Sequence, residues 1–344
     1  MDEGILLPRR EPKHIDPKLL QSRDYFDHIK AFNAAVQNQI RDDLGRIFTP
    51  DGFCIATTGS DGRLEKGPVS PLEVVLFLDS MGYKDMQESG PHREELSRTL
   101  MGYIRGEIGR PLFEQGLEIK SVDTDEVHKV VKTYPDGRKV TLVSPNRIFD
   151  SMLLYGNPAV LHKAQQKLVE ELKRPEARVG ILERIIHRAK EFRNVAISGI
   201  QKYGNSSLMH YNPKEGVAFY DPDNHLLSFK QGPLRAVQFA IVRDLIKELR
   251  AGKNPDYLFS LTHNTVDKLR EAEVKRDTSL TSQEVIDLTD GYKYFMWLYH
   301  ISQMAYLNNG EKETRFDVKE VQDRSKRIAE ICVKPIIVVN DSYR

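Results

Sequence analysis

The stretch Gly59-Ser60-Asp61-Gly62-Arg63-Leu64-Glu65 combines residue types that could hold a phosphate. Gly59 and Gly62 permit main-chain angles closed to other residues and let a ligand approach the backbone. Ser60 adds a hydroxyl, and a tight turn can direct backbone N–H groups at an anion. Upstream, Phe53–Thr57 reads Phe-Cys-Ile-Ala-Thr, short and apolar, as a buried strand should be. Downstream, Leu72–Leu78 is a second apolar run with Glu73 near its start. A carboxylate in such a run is costly unless paired or placed at the rim of a sheet, which favours a role for Glu73 at a site. A phosphate-cradling turn beside a strand that carries a carboxylate is the layout needed for metal-assisted nucleotidyl transfer.

The surrounding elements follow from periodicity. Ser22 can cap a helix reaching Ile47, with Tyr25, Phe26, Ile29, Phe32, Val36, Ile40, Leu44 and Ile47 recurring every three or four positions. Residues 80–91 read as a loop and 92–108 as a helix. Residues 116–122 alternate in strand fashion. Residues 127–133 and 138–143 flank Pro135-Asp136-Gly137, a hairpin signal, since Asp-Gly suits a turn with positive φ. After Pro145 the pattern is helical almost throughout. Helices are expected over 147–154, 158–172 and 183–203, with an irregular insertion at 213–224. Gly232-Pro233 opens a further helix, and Thr281-Ser282-Gln283-Glu284 fits a capping box for one reaching Leu307.

The expected fold is therefore α/β (α+β), a small mixed sheet with helices followed by a mostly α-helical domain. The division is a flexible arm at 1–21, the α/β domain at 22–145, the helical domain at 146–330 and a C-terminal tail at 331–344. With 344 residues, two domains are the expectation. Fifty-one Lys and Arg against 50 Asp and Glu argue against nucleic acid held mainly by phosphate charge, but leave a small nucleotide open. Cys54 and Cys332 lack neighbours at zinc spacing. No run of about 18 apolar residues suggests a membrane span, and the polar N-terminus lacks the apolar centre of a secretory signal. The expected setting is cytoplasmic, without a membrane partner.

The turn and its neighbours resemble the DNA polymerase β-like nucleotidyltransferases, in particular their PII-uridylyltransferase-like branch. That family shows Gly-Ser or Gly-Gly, one residue, Gly-Arg, one residue and Glu, then a short spacer and Ser-Asp-x-Asp. This chain has Gly59-Ser60, Asp61, Gly62-Arg63, Leu64, Glu65, the spacer 66–69, then Ser70-Pro71-Leu72-Glu73. Weaker echoes follow in the family's order at 112–119, at 147–156 and at 224–238, the last holding Lys230, Gly232, Leu234, Arg235 and Gln238. The resemblance implies a reaction in which Mg²⁺ held by carboxylates aligns a nucleoside triphosphate with an attacking hydroxyl. It implies that Gly59, Ser60, Gly62 and Arg63 contact the triphosphate and that Glu73 and Glu118 are metal ligands; Asp61 or Glu65 would compensate from the turn for the ligand absent at Pro71. Lys230 and Arg235 would reach the nucleotide, and Arg63 with Glu65 would orient the turn.

Pro71 stands where the family has a metal-binding Asp, and proline binds no metal. Two further readings follow: a catalytically degenerate nucleotide-binding or protein-interaction module, and a helical scaffold whose α/β part is structural. Bland readings also accompany single residues. Arg63 and Glu65 would suit an exposed surface pair, and Glu118, between Leu117 and Ile119, would suit the solvent face of an edge strand. Neither nucleobase nor acceptor, a protein or a small molecule, is specified.

Overall fold

The structure is a computed structural model. It describes residues 25–47, 53–67, 72–79, 117–124, 131–133, 139–141, 150–173, 208–212, 216–221, 224–230, 232–250, 264–274, 280–309, 313–315 and 318–341. The expected arm at 1–21, the loop and helix at 80–108 and the helix at 183–203 lie outside the described residues. The chain divides into two compact units, Met1–Arg174 and Pro175–Arg344. Both mix helix and strand, so the architecture is α+β.

The first unit opens with helix α1 (Tyr25–Ile47) and strand β1 (Phe53–Thr57), followed by the single helical turn α2 (Gly59–Gly62) and strand β2 (Leu72–Leu78). Strand β3 (Leu117–Asp123), a short hairpin of β4 (Val131–Thr133) and β5 (Lys139–Thr141), strand β6 (Met152–Gly156) and helix α3 (Pro158–Lys173) complete it. The main sheet has the order β3-β2-β1-β6, with β1 antiparallel to both neighbours and β2 parallel to β3. Its centre is dry: Cys54, Ile55, Ala56, Val75, Phe77 and Leu154 are fully buried. Burial pushes the Cys54 thiol up to about 12, so it is protonated at neutral pH and acts as core packing.

Strand β6 corrects the helix expected over 147–154. Met152 to Tyr155 form a short apolar run, whose type periodicity alone does not decide. Its pairing with β1 decides it, Ile55 opposite Tyr155 and Ala56 opposite Leu153. Gly156 closes the strand at φ +99°, where a Cβ would come within 2.5 Å of the Phe53 carbonyl oxygen. Asn157 then caps α3, its Oδ1 accepting from the Ala159 N–H, with Pro158 at the first helical position. Strand β6 and α3 thus belong to the first unit, C-terminal to the division expected at 145/146.

The second unit holds strands β7 (Leu208–Asn212), β8 (Gly216–Asp221) and β9 (Asn224–Ser228), then helices α4 (Pro233–Arg250), α5 (Thr265–Val274) and α6 (Ser282–Asn309). Strand β10 (Glu313–Arg315) and helix α7 (Val318–Asp341) end it. The strands form an antiparallel sheet in the order β10-β7-β8-β9. The expectation of an irregular insertion at 213–224 in a mostly helical domain is corrected here. Phe219 pairs with Met209 on one side and Leu227 on the other, a ladder formed by partners that the turn residues of the segment obscure in a linear reading. Helix α7 runs on to Asp341, into the segment expected as the C-terminal tail.

Helix α6 begins as the capping box requires. The Thr281 N–H donates to Glu284 Oε2 at 3.0 Å, and the Glu284 N–H donates to Thr281 Oγ1 at 3.3 Å. Tyr292 and Phe295 of this helix are fully buried, and Phe295 meets Phe229 with ring centroids 5.2 Å apart. Helices α6 and α7 are also joined by Arg327, whose Nε donates to Asp287 Oδ2 at 2.7 Å. Burial raises the Asp287 carboxyl, but hydrogen bonds from Gln283 and Arg327 and the Arg327 charge together outweigh it and hold the group below its ordinary value. A depressed carboxyl contributes stability above its unfolded pKa, near 4, that is lost as pH falls through the folded value. Asp287→Asn is therefore expected to lessen the fall in thermal midpoint between about pH 5 and pH 3; an unchanged fall would remove this pair from the acid response. No helix among the described residues is long and apolar enough to cross a membrane.

Candidate functional site

The glycine turn grows directly out of the β1–β2 pair. The Thr58 N–H donates to the Glu73 carbonyl at 3.1 Å, extending the ladder one residue past Thr57. The chain then turns at Gly59, φ +63°, an angle that glycine adopts without steric cost. Three backbone bonds close the turn: Gly62 N–H to Thr58, Arg63 N–H to Gly59, and Glu65 N–H to Ser60 at 2.8 Å.

The Glu73 carboxylate lies over Gly59. A Cβ at Gly59 would collide with Glu73 Oε2 and lie 3.3 Å from its Cδ, so the main chain of the turn and the carboxylate face one another. Glu73 and Ser60 are half-buried. Across the sheet the parallel register pairs Glu73 with Glu118, which puts the two acidic positions side by side on adjacent strands. Asp61 lies in α2.

Arg63 turns away from solvent and is braced. Its Nε donates to Glu65 Oε2 at 2.8 Å and its Nη1 to Asp150 Oδ2 at 2.5 Å. The Glu65 side chain is 1% exposed and those of Arg63 and Asp150 are 11% and 12% exposed. An exposed surface pair is therefore excluded. Two buried carboxylates are held by one planar guanidinium, a geometry suited to Arg and not to Lys. Arg63 thus ties the turn to Glu65 and to Asp150, just before β6. Gly62 is pressed into the same brace: a Cβ there would strike the Asp150 carbonyl oxygen and lie 2.9 Å from that of Thr57.

After Arg63 the chain passes through Leu64 at φ 59°, a left-handed conformation costing a non-glycine residue about 1–2 kcal/mol. Asn33 of α1 holds it there. Its Nδ2 donates to the carbonyls of Leu64 at 3.2 Å, Lys66 at 3.1 Å and Ile29 at 3.0 Å. The periodicity of α1 does not single out Asn33, yet it is 5% exposed and lies with Phe26, Ile29, Gln37, Ile40 and Leu44 on the buried stripe. Phe32 and Val36, expected in the core, are only half-buried. The signal available was the polar residue at core spacing, which must find partners for its amide.

The second unit carries the two remaining candidates. Lys230 is exposed in the turn before α4, and Arg235 lies in the first turn of α4 with its guanidinium 5.8 Å from the Phe239 ring centroid. Pro71 lies outside the described residues. Among the described residues, no group of three or more His, Cys, Asp and Glu side chains could hold a metal ion. No protein-family model matches this sequence, and no curated protein matches it.

Proposed function

We propose that the first unit binds a nucleoside triphosphate at the Gly59–Gly62 turn and, with Mg²⁺, transfers its nucleoside monophosphate to a hydroxyl of a protein or a small molecule. The observation that carries this reading is the Glu73 carboxylate lying against the Gly59 main chain. An anion over a turn meant for another anion is repulsive unless a cation lies between them, and carboxylate oxygens suit Mg²⁺. Glu73 and its register neighbour Glu118 are the donors proposed for it. When bound, Mg²⁺ would neutralise phosphate charge and stabilise the departing pyrophosphate.

The chain's own contribution is positioning. Gly59 and Ser60 offer main-chain N–H groups and a hydroxyl to the phosphates, Gly62 closes the turn through its bond to Thr58, and Arg63 keeps the turn in shape through Glu65 and Asp150. In the transfer, the acceptor oxygen forms a bond to the α-phosphorus and the bond from that phosphorus to the bridging oxygen of the β-phosphate breaks. Pyrophosphate leaves with the electron pair, and the hydroxyl proton passes to water. Asp61, in the turn itself, is proposed as a further contact to the metal.

The test is incubation with α-labelled nucleoside triphosphates, Mg²⁺ and a cell extract as the source of acceptors, comparing wild type with Glu73→Ala. The expected outcome is a fall in labelling of about a hundredfold or more in the variant. Equal labelling would remove Glu73 from the mechanism. Pro71, at the position of a family metal ligand, favours a second reading, a binding module without turnover. Triphosphate binding by calorimetry with no transfer in any assay would select it.

A further inference from the structure

We infer that Asn33, far from the turn in sequence, is the positioning residue that holds the glycine turn in its ligand-binding shape. The inference rests on the reading of that turn as a triphosphate site. An asparagine amide has two N–H groups, and here three carbonyls converge on one nitrogen, those of Ile29, Leu64 and Lys66. Three acceptors around one atom also settle which end of the amide is nitrogen.

The Ile29 carbonyl belongs to α1 itself, one helical turn back, so that bond fixes the side chain on its own helix. The other two carbonyls flank Glu65. Glu65 is thereby gripped from both sides, and it in turn acts on the turn twice. Its N–H donates to the Ser60 carbonyl at 2.8 Å, and its carboxylate accepts from Arg63. The path from Asn33 to the turn runs through one peptide unit: Asn33 donates to the Leu64 carbonyl, and the N–H of that same peptide group, that of Glu65, donates to Ser60. It also supplies what the left-handed Leu64 needs, a partner present only when that angle is adopted. Apolar packing of α1 on the sheet would orient the helix equally well with leucine at position 33; the hold on the turn would not survive.

The experiment uses the full chain and two variants. Asn33→Leu keeps the volume and removes both N–H groups. Asn33→Ser keeps one short donor and serves if Asn33→Leu does not fold. Hydrogen exchange is read at the amides of Gly62, Arg63 and Glu65 and compared with those of Ile55 and Val75 in the sheet. The expected result is exchange at the turn faster by about tenfold relative to the sheet, the size of one lost buried hydrogen bond. Affinity for ATP with Mg²⁺, by calorimetry, is expected to fall by about the same factor. Equal acceleration of turn and sheet would reduce Asn33 to a general stabiliser and overturn the inference. So would faster exchange at the turn with unchanged ATP affinity. If the wild-type chain binds no ATP or other triphosphate, the nucleotide reading fails on its own, and the exchange ratio still decides whether Asn33 holds the turn.

Discussion

Gly62→Ala is expected to destabilise the first unit by about 3 kcal/mol or more. The added methyl would overlap the Asp150 carbonyl oxygen and crowd that of Thr57 at 2.9 Å. Both obstacles are main chain, and neither can rotate aside. Asp150 is anchored through its carboxylate to Arg63, and Thr57 belongs to β1 at the centre of the sheet. Relief would require the turn to lift off the residues just before β6, which would break the Arg63 brace as well. Gly45→Ala is the control. Its Cβ would meet Tyr155 Cε2 at 3.6 Å, ordinary contact, on an exposed helical position. There alanine is expected to stabilise by roughly 0.5–1 kcal/mol through helix propensity and reduced chain entropy. Urea unfolding followed by exchange of the β1 amides reports both. Similar midpoints for the two variants would mean that Gly62 is not constrained as described.

Arg63→Ala is expected to cost about 3–5 kcal/mol, the range for breaking a buried ion pair by removing one partner. The damage lies in what remains. Glu65 is 1% exposed, and its carboxylate would lose the cation it shares with that of Asp150. The same argument makes the effects non-additive. Once Arg63 is gone, Glu65→Leu should recover stability, because it removes a buried carboxylate that has lost its guanidinium. The measurement is a double-mutant cycle by urea denaturation. A double variant that is less stable than Arg63→Ala alone would show that Glu65 owes its hold to something other than the guanidinium. Arg63→Lys is expected to rescue little, since a point charge cannot reach two carboxylates as a planar fork does.

The central elements of the site were legible from local pattern. Phe53–Thr57 and Leu72–Leu78 are apolar, short and bounded by turn residues, and they form the β1–β2 pair on which everything else is built. The capping box at Thr281 was legible for the same reason: reciprocal bonds between residues three apart need only the local chain. The readings that failed all depended on a distant partner. Met152–Gly156 suits helix or strand until β1 is present to pair with it. Segment 213–224 looks irregular from its turn residues, yet Gly216–Asp221 is a strand between two others. The bulk of α1 was foreseeable, but its buried stripe passes through Asn33 and Gln37 and leaves Phe32 and Val36 half-exposed. Which polar groups a helix can bury depends on which carbonyls wait for them.

What this amino-acid sequence determined unaided was the chemistry on offer: two glycines that free the backbone, a serine, an arginine and a set of carboxylates within one short stretch. Residue type and local spacing suffice for that, because turn geometry and strand propensity act over a few bonds. Only the tertiary structure decided how those groups are used. It turned Arg63 inward to Glu65 and Asp150, laid the Glu73 carboxylate over Gly59, and brought Asn33 to the carbonyls of Leu64 and Lys66. Apart from the Arg63–Glu65 pair, these contacts join parts of the chain whose meeting depends on the packing of α1 and the closing of the sheet. No local preference encodes it: buried polar groups are satisfied by whatever the completed fold brings within hydrogen-bond reach.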